Sequence, residues 1–194
     1  LTRRQLMALV NDQAHGFLKA GLASGDFVVV LCGRSNRFWI ELLAGWVIGA
    51  KVVCVEPGIS GEHAASIVAM TGACYVACDG VLCPEGLGDL QSLKSVDAPS
   101  RATGSASEIF QDLPFAQDTP DIAGLIFTSG TTGLPKGVPL SHRALGMNAL
   151  STATRLHLRA DDRLLLATPY RFISSISHFI VALMSGATLV GIER

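Results

Sequence analysis

Charge is what this sequence has least of. Only 16% of the residues are Asp, Glu, Lys or Arg, the formal net charge is −1, and no run of like charge occurs. Without a basic field to hold phosphate backbones, a nucleic-acid partner is excluded. Without a charged block there is no interaction tail. Cys-x-x-Cys spacing is also missing. The five cysteines, Cys32, Cys54, Cys74, Cys78 and Cys83, have no histidine beside the last three in sequence, which argues against a metal site. An odd number lying mostly in apolar, β-type runs fits reduced core residues and predicts a cytoplasmic protein. No signal peptide opens the chain, because residues 1–22 read as a charged, amphipathic helix. The stretch from Ile173 to Ile192 lacks Asp, Glu, Lys and Arg, yet it holds four serines, His178, Thr188 and two glycines. It predicts a buried helix, a turn and a strand, with no transmembrane span.

What the sequence does have is apolar content, 49% of 194 residues. That suffices for one substantial core or two small lobes. It is also rich enough to suggest that further protein normally covers part of the surface. Thr2-Arg3-Arg4-Gln5 has the form of a capping box. Leu6, Leu9, Val10, Phe17 and Leu18 follow at helical spacing, with Gly21 placed to end the helix. Strands are expected at Phe27 to Cys32, Val52 to Val55 and Ala73 to Cys78. Between them lie a helix capped by Asn36 and carrying Trp39 and Trp46, and one capped by Ser60 and running to about Thr71. Trp39 and Trp46 stand a heptad apart, which favours core packing. Strand–helix alternation at this spacing predicts an α/β fold, with largely parallel strands flanked by helices in βαβ units.

The alternation fails after Asp79. Residues 1–94 therefore read as a first βαβ-rich region, 95–121 as a mobile connection and 122–194 as a second region. In the second region Ile122 to Thr128 is a strand, and a glycine-rich loop runs on through Pro139. Ser141 then caps a helix to about Leu156. Arg163 to Thr168 is a strand, Ser174 to Met184 a helix and Thr188 to Gly191 a last strand.

The loop carries the chemistry. Gly130, Gly133 and Gly137 let the backbone turn tightly and bring N–H groups close to an anion. The hydroxyls of Thr128, Ser129, Thr131 and Thr132 can donate to phosphate oxygens, and Lys136 adds a mobile positive charge. A Walker A loop needs Gly before its Lys and Ser or Thr after it. Here Pro135 precedes Lys136 and Gly137 follows, so the hydrolase reading fails.

Leu125 to His142, with Thr128-Ser129-Gly130-Thr131-Thr132-Gly133-Leu134-Pro135-Lys136-Gly137 at its centre, resembles the signature of the adenylate-forming superfamily. That superfamily includes acyl- and aryl-CoA ligases, luciferases and the adenylation domains of peptide synthetases. Gly25-Asp26 before a strand, Trp46 to Ala50 with Pro57, and Leu183 to Val190 resemble further stretches of it, in the same order.

The resemblance implies a two-step ligase acting on a small-molecule carboxylic acid, with ATP and Mg2+. An acyl-adenylate forms first, and the thiol of CoA or a carrier protein then displaces AMP. The loop would hold the departing phosphates. Pro169-Tyr170-Arg171-Phe172 stands where many such ligases carry Pro-x-x-His, which makes Phe172 either a wall of the acyl pocket or a core residue. His142 could approach the anion or lie solvated in a first helical turn. His178 reads as a structural, partly buried residue, and His15 and His63 as helix-surface residues. A later Tyr-Gly-x-Thr-Glu-like segment, the ribose-holding aspartate and the late adenylation lysine do not occur before Arg194. The resemblance therefore implies the first part of a large N-terminal domain. Alone, this chain would not complete the reaction, and a non-catalytic or split-enzyme scaffold is the alternative.

Overall fold

The computed structural model describes residues 1–31, 33–78, 87, 90–93, 121–128 and 135–192. The connection expected over 95–121 lies outside them, apart from Asp121. Helix α1, Arg3–Lys19, opens on the capping box. The Thr2 hydroxyl accepts the Gln5 N–H at 3.2 Å, and Gln5 Oε1 accepts the Thr2 N–H at 2.9 Å. Two otherwise orphaned donors of the first turn are thereby satisfied.

Strands β1 (Phe27–Leu31), β2 (Lys51–Cys54), β3 (Tyr75–Cys78), β4 (Gln91–Leu93), β5 (Ile122–Thr128) and β6 (Lys136–Ser141) form one sheet in the order β4-β3-β1-β2-β5-β6. All neighbours are parallel except β5 and β6. Helices α2 (Asn36–Val47) and α3 (Gly61–Thr71) make the crossovers. The β-branched runs divide by parity. Val28, Val30, Val52 and Cys54 join a core that includes α1 and α2, whereas Val29, Leu31, Val53 and Val55 join one that includes Ala64 and Ile67 of α3. Both faces of the sheet are thus covered, as continuous apolar strands require.

Helix α4 (His142–Arg155), strand β7 (Arg163–Leu166), helix α5 (Ile173–Ser185) and strand β8 (Thr188–Gly191) follow, with β7 and β8 paired in parallel as a second, small sheet. Trp39 of α2 stacks on Phe179 of α5 at 4.1 Å between ring centroids and lies 4.8 Å from Tyr170. These contacts fasten α5 to the large sheet. The Trp46 indole N–H donates to the Ala123 carbonyl at 2.9 Å, so both tryptophans serve packing. The uncharged stretch from Ile173 becomes α5, a turn at Gly186 and β8. Among the described residues no helix is long and apolar enough to cross a membrane.

Three expectations change. Ser35, not Asn36, caps α2, with its hydroxyl accepting the Arg37 N–H at 3.3 Å while Asn36 is already helical. Residues 136–141 are strand β6 and not a continuation of the loop. Pro139, which has no N–H to give, is tolerated because β6 is the sheet's edge. Strand β7 stops at Leu166, because the hydroxyl and carbonyl of Thr168 are engaged by the Ser175 hydroxyl at 2.5 and 3.2 Å, which turns the chain into α5.

Candidate nucleotide-phosphate site

In open α/β sheets ligands bind beyond the carboxyl ends of the strands. At that edge β2 leads to Glu56 and β5 ends at Thr128, and antiparallel β6 begins there with Lys136. Thr128 and Lys136 are register partners, and both are exposed. The connection between them therefore leaves and re-enters the sheet at one place. Ser129, Gly130, Thr131, Thr132 and Gly133 lie within it, outside the described residues. Strand β5 itself sits tightly against β2. A Cβ on Gly124 would fall 1.9 Å from the Val52 carbonyl oxygen, so only glycine allows this approach.

His142 is not at this edge. Strand β6 runs away from Lys136 to Ser141, which pairs with Ile122 at the amino end of β5. At about 3.4 Å per residue, His142 lies on the order of 20 Å along the strand from Lys136. Its N–H donates to the Asp121 carbonyl at 2.9 Å, and its ring meets the Trp46 ring edge-on at 5.5 Å. Burial holds the imidazole below its usual range, opposed by the Asp121 carboxylate. Strand direction thus sets His142 at the end of β6 opposite Lys136. The same geometry removes the α4 N-terminus as a phosphate cradle, which separates this site from nucleotide loops that run straight into a helix.

Phe172 stands at the N-cap of α5 and is 40% exposed in this chain. The Arg171 guanidinium carbon lies 4.3 Å from its ring centroid, and Arg171 Nη2 lies 2.6 Å from Glu56 Oε2. Arg34, just after β1, donates to the carbonyls of Ala167 and Ile192 at 3.2 and 3.3 Å. It thereby ties the carboxyl ends of β7 and β8 to that of β1. No sequence motif singles out Arg34, Glu56 or Arg171, since only a strand order reveals that their segments converge. His178, expected partly buried, is exposed, with Nδ1 2.6 Å from the Ser174 carbonyl oxygen. His15 and His63 are half-buried helix residues.

A cavity of about 470 Å³ lies elsewhere, lined by residues such as Leu6, Trp39, Phe179 and Leu189, so volume alone does not mark the site. Among the described residues no three His, Cys, Asp or Glu side chains converge to hold a metal ion.

A two-faced α/β sheet with a hydroxyl- and glycine-rich hairpin at its carboxyl edge is the class of protein these features define. The chain belongs to the AMP-binding enzyme family, which it matches over residues 1–194. It is 26% identical to bacitracin synthase 1 of Bacillus licheniformis, over 100% of this chain and 4% of that protein. It is 31% identical to 4-coumarate–CoA ligase 5 of Oryza sativa subsp. japonica, over 96% of this chain and 37% of that protein. The o-succinylbenzoate CoA synthetase of Bacillus subtilis, solved with its acyl-adenylate intermediate, shares the fold with a TM-score of 0.78. Its identity is 22%, covering 97% of this chain and 49% of that one. The chain thus spans less than half the length of these relatives.

Proposed function

We propose that this chain provides the nucleotide-phosphate hairpin and one acyl-pocket wall of an AMP-forming ligase that joins a carboxylic acid to a thiol. The observation that carries the reading is the pairing of Thr128 with Lys136 at the carboxyl edge of the sheet, in a chain whose whole length matches the AMP-binding family. Residues 128–136 would wrap the β- and γ-phosphates of ATP. Hydroxyl and backbone donors, with the Lys136 ammonium, would meet charge that grows on the departing pyrophosphate.

In the first step a substrate carboxylate oxygen bonds to the α-phosphorus, the bond to the bridging α–β oxygen breaks, and pyrophosphate leaves with that electron pair. In the second, the thiol sulfur of CoA or a carrier protein bonds to the acyl carbon, AMP departs, and the thiol proton passes to base or water. No protein nucleophile is needed. Magnesium, when bound with ATP, supplies further positive charge to the phosphates.

Residues 1–94 and 122–194, joined by 95–121, would together form the first part of a larger N-terminal domain. A second reading, a scaffold or split-enzyme fragment without chemistry of its own, draws support from exposed apolar residues such as Leu165 on β7, 62% exposed. ATP–pyrophosphate exchange by the full-length protein that contains this chain, over a panel of carboxylic acids, separates the readings. Acid-dependent exchange supports the ligase. Phosphate release without pyrophosphate would sink it, and ATP binding with no exchange favours the scaffold.

A further inference from the structure

We infer that Glu56 is a positioning residue that, through Arg171, fixes Phe172 as the acyl-pocket wall beside the phosphate hairpin; the inference rests on the ligase reading above. Glu56 is itself well held. The Val55 N–H donates to the Val30 carbonyl at 3.0 Å, and the Ile59 N–H closes a turn on the Glu56 carbonyl at 3.2 Å. Pro57 and Gly58, the latter with φ +89°, occupy the two central positions of that turn. Proline followed by a positive-φ glycine is the pattern of a type II turn, which leaves Glu56 little backbone freedom. Cys54, the last residue of β2, pairs with Ile126 of β5, two residues before β5 ends at Thr128. Thr128 in turn faces Lys136. Glu56 therefore leaves β2 at the same carboxyl edge at which β5 ends and β6 begins.

Arg171 reaches this carboxylate from the start of α5, with Nη2 2.6 Å from Oε2, a charge-assisted contact. The same guanidinium packs on the Phe172 ring at 4.3 Å, using the planar face that a lysine lacks. Phe172 is 40% exposed, so burial alone does not set its rotamer. Without Glu56, Arg171 would be free to leave the ring, and Phe172 would lose the contact that orients it. Because Arg171 is 25% and Glu56 52% exposed, the pair contributes little to folding. Its effect belongs to the position of the ring.

The test places 4-fluorophenylalanine at position 172 of the chain and reads its fluorine resonance. Glu56→Gln should shift the line toward a mobile, solvent-exposed value with an unchanged thermal midpoint. The charge exchange Glu56→Arg with Arg171→Glu should restore neither full packing nor the original line, whereas Glu56→Asp should recover most of it. A resonance indifferent to Glu56→Gln overturns the inference. In ATP–pyrophosphate exchange, Glu56→Gln should raise KM for the acid by about fivefold and leave KM for ATP unchanged, the pattern of lost substrate positioning. Equal changes in both constants, or none, overturn it as well. A full-length wild-type protein without acid-dependent exchange defeats the ligase reading and the acid-aligning role together, while the fluorine signal still decides whether Glu56 holds Phe172.

Discussion

Thr128 and Lys136 face each other as the pair that closes the described part of the β5–β6 hairpin. This fixes the origin of the lysine side chain on a strand, while the residues it would work with belong to the intervening loop. A point charge on a flexible stem, anchored at a rigid base, can follow a phosphate group as it departs. Lys136→Ala should therefore lower ATP–pyrophosphate exchange by about 100- to 1,000-fold, as losing one donor to developing charge does. Lys136→Arg should retain part of the rate. An unchanged rate for the alanine variant would remove Lys136 from the phosphate site.

Gly124 and Gly146 make a controlled pair. A Cβ at Gly124 would meet the Val52 backbone, its oxygen at 1.9 Å and its carbonyl carbon at 2.8 Å, whereas one at Gly146 in α4 would meet nothing within 4 Å. Backbone cannot rotate away as a side chain can. Gly124→Ala should cost about 3 kcal/mol, the upper end for overpacking. Gly146→Ala should be neutral or stabilising by about 0.5–1 kcal/mol through helix propensity. Urea unfolding of both variants measures the difference. Equal midpoints would show that β2 and β5 are not packed this closely.

The helices and parallel strands are legible in the sequence because their signals are local. Thr2 and Gln5 announce α1, and runs such as Val28-Val29-Val30 can only be buried on both faces. Strand β6 is not legible. Lys136 to Ser141 contains a glycine and a proline and becomes a strand only because β5 offers it an edge. Strand β4, Gln91-Ser92-Leu93, is likewise made by its neighbour β3. At the candidate site, Lys136 follows from residue type in a glycine-rich loop, and Phe172 from the family resemblance. The meeting of Glu56 with Arg171, 115 positions apart, depends on strand order, which no local pattern encodes. Strand direction is equally hidden, and without it His142 can be imagined near the loop.

Burial pushes the Cys54 thiol up from 9.0 to about 12, while Cys74 is exposed. Native protein at pH 8 should be alkylated at Cys74 and spared at Cys54 until it unfolds, as peptide mapping would read. The linked pH effect has a definite sign. The folded state keeps the proton that the unfolded state releases, so this contribution is complete below pH 9 and is lost as pH rises toward 12. Cys54→Ala should flatten that decline relative to the wild type. Rapid alkylation of Cys54 in the folded protein would contradict its burial.

His142 supplies the opposite sign at the other end of the scale. Packed against Trp46, its imidazole is held below 6.5 chiefly by burial, with Asp121 pulling the other way. The folded state therefore resists a proton that the unfolded state accepts. This contribution is fully present above pH 6.5 and is lost as pH falls through the lowered value. Urea midpoints should fall between pH 7.5 and 5.5 in the wild type, and less steeply in His142→Gln. Because His142 lies at the amino end of β5, remote from Lys136, the same variant should leave KM for ATP unchanged at pH 7.5. A large rise in that constant would return the histidine to the phosphate edge and contradict the direction of the strand.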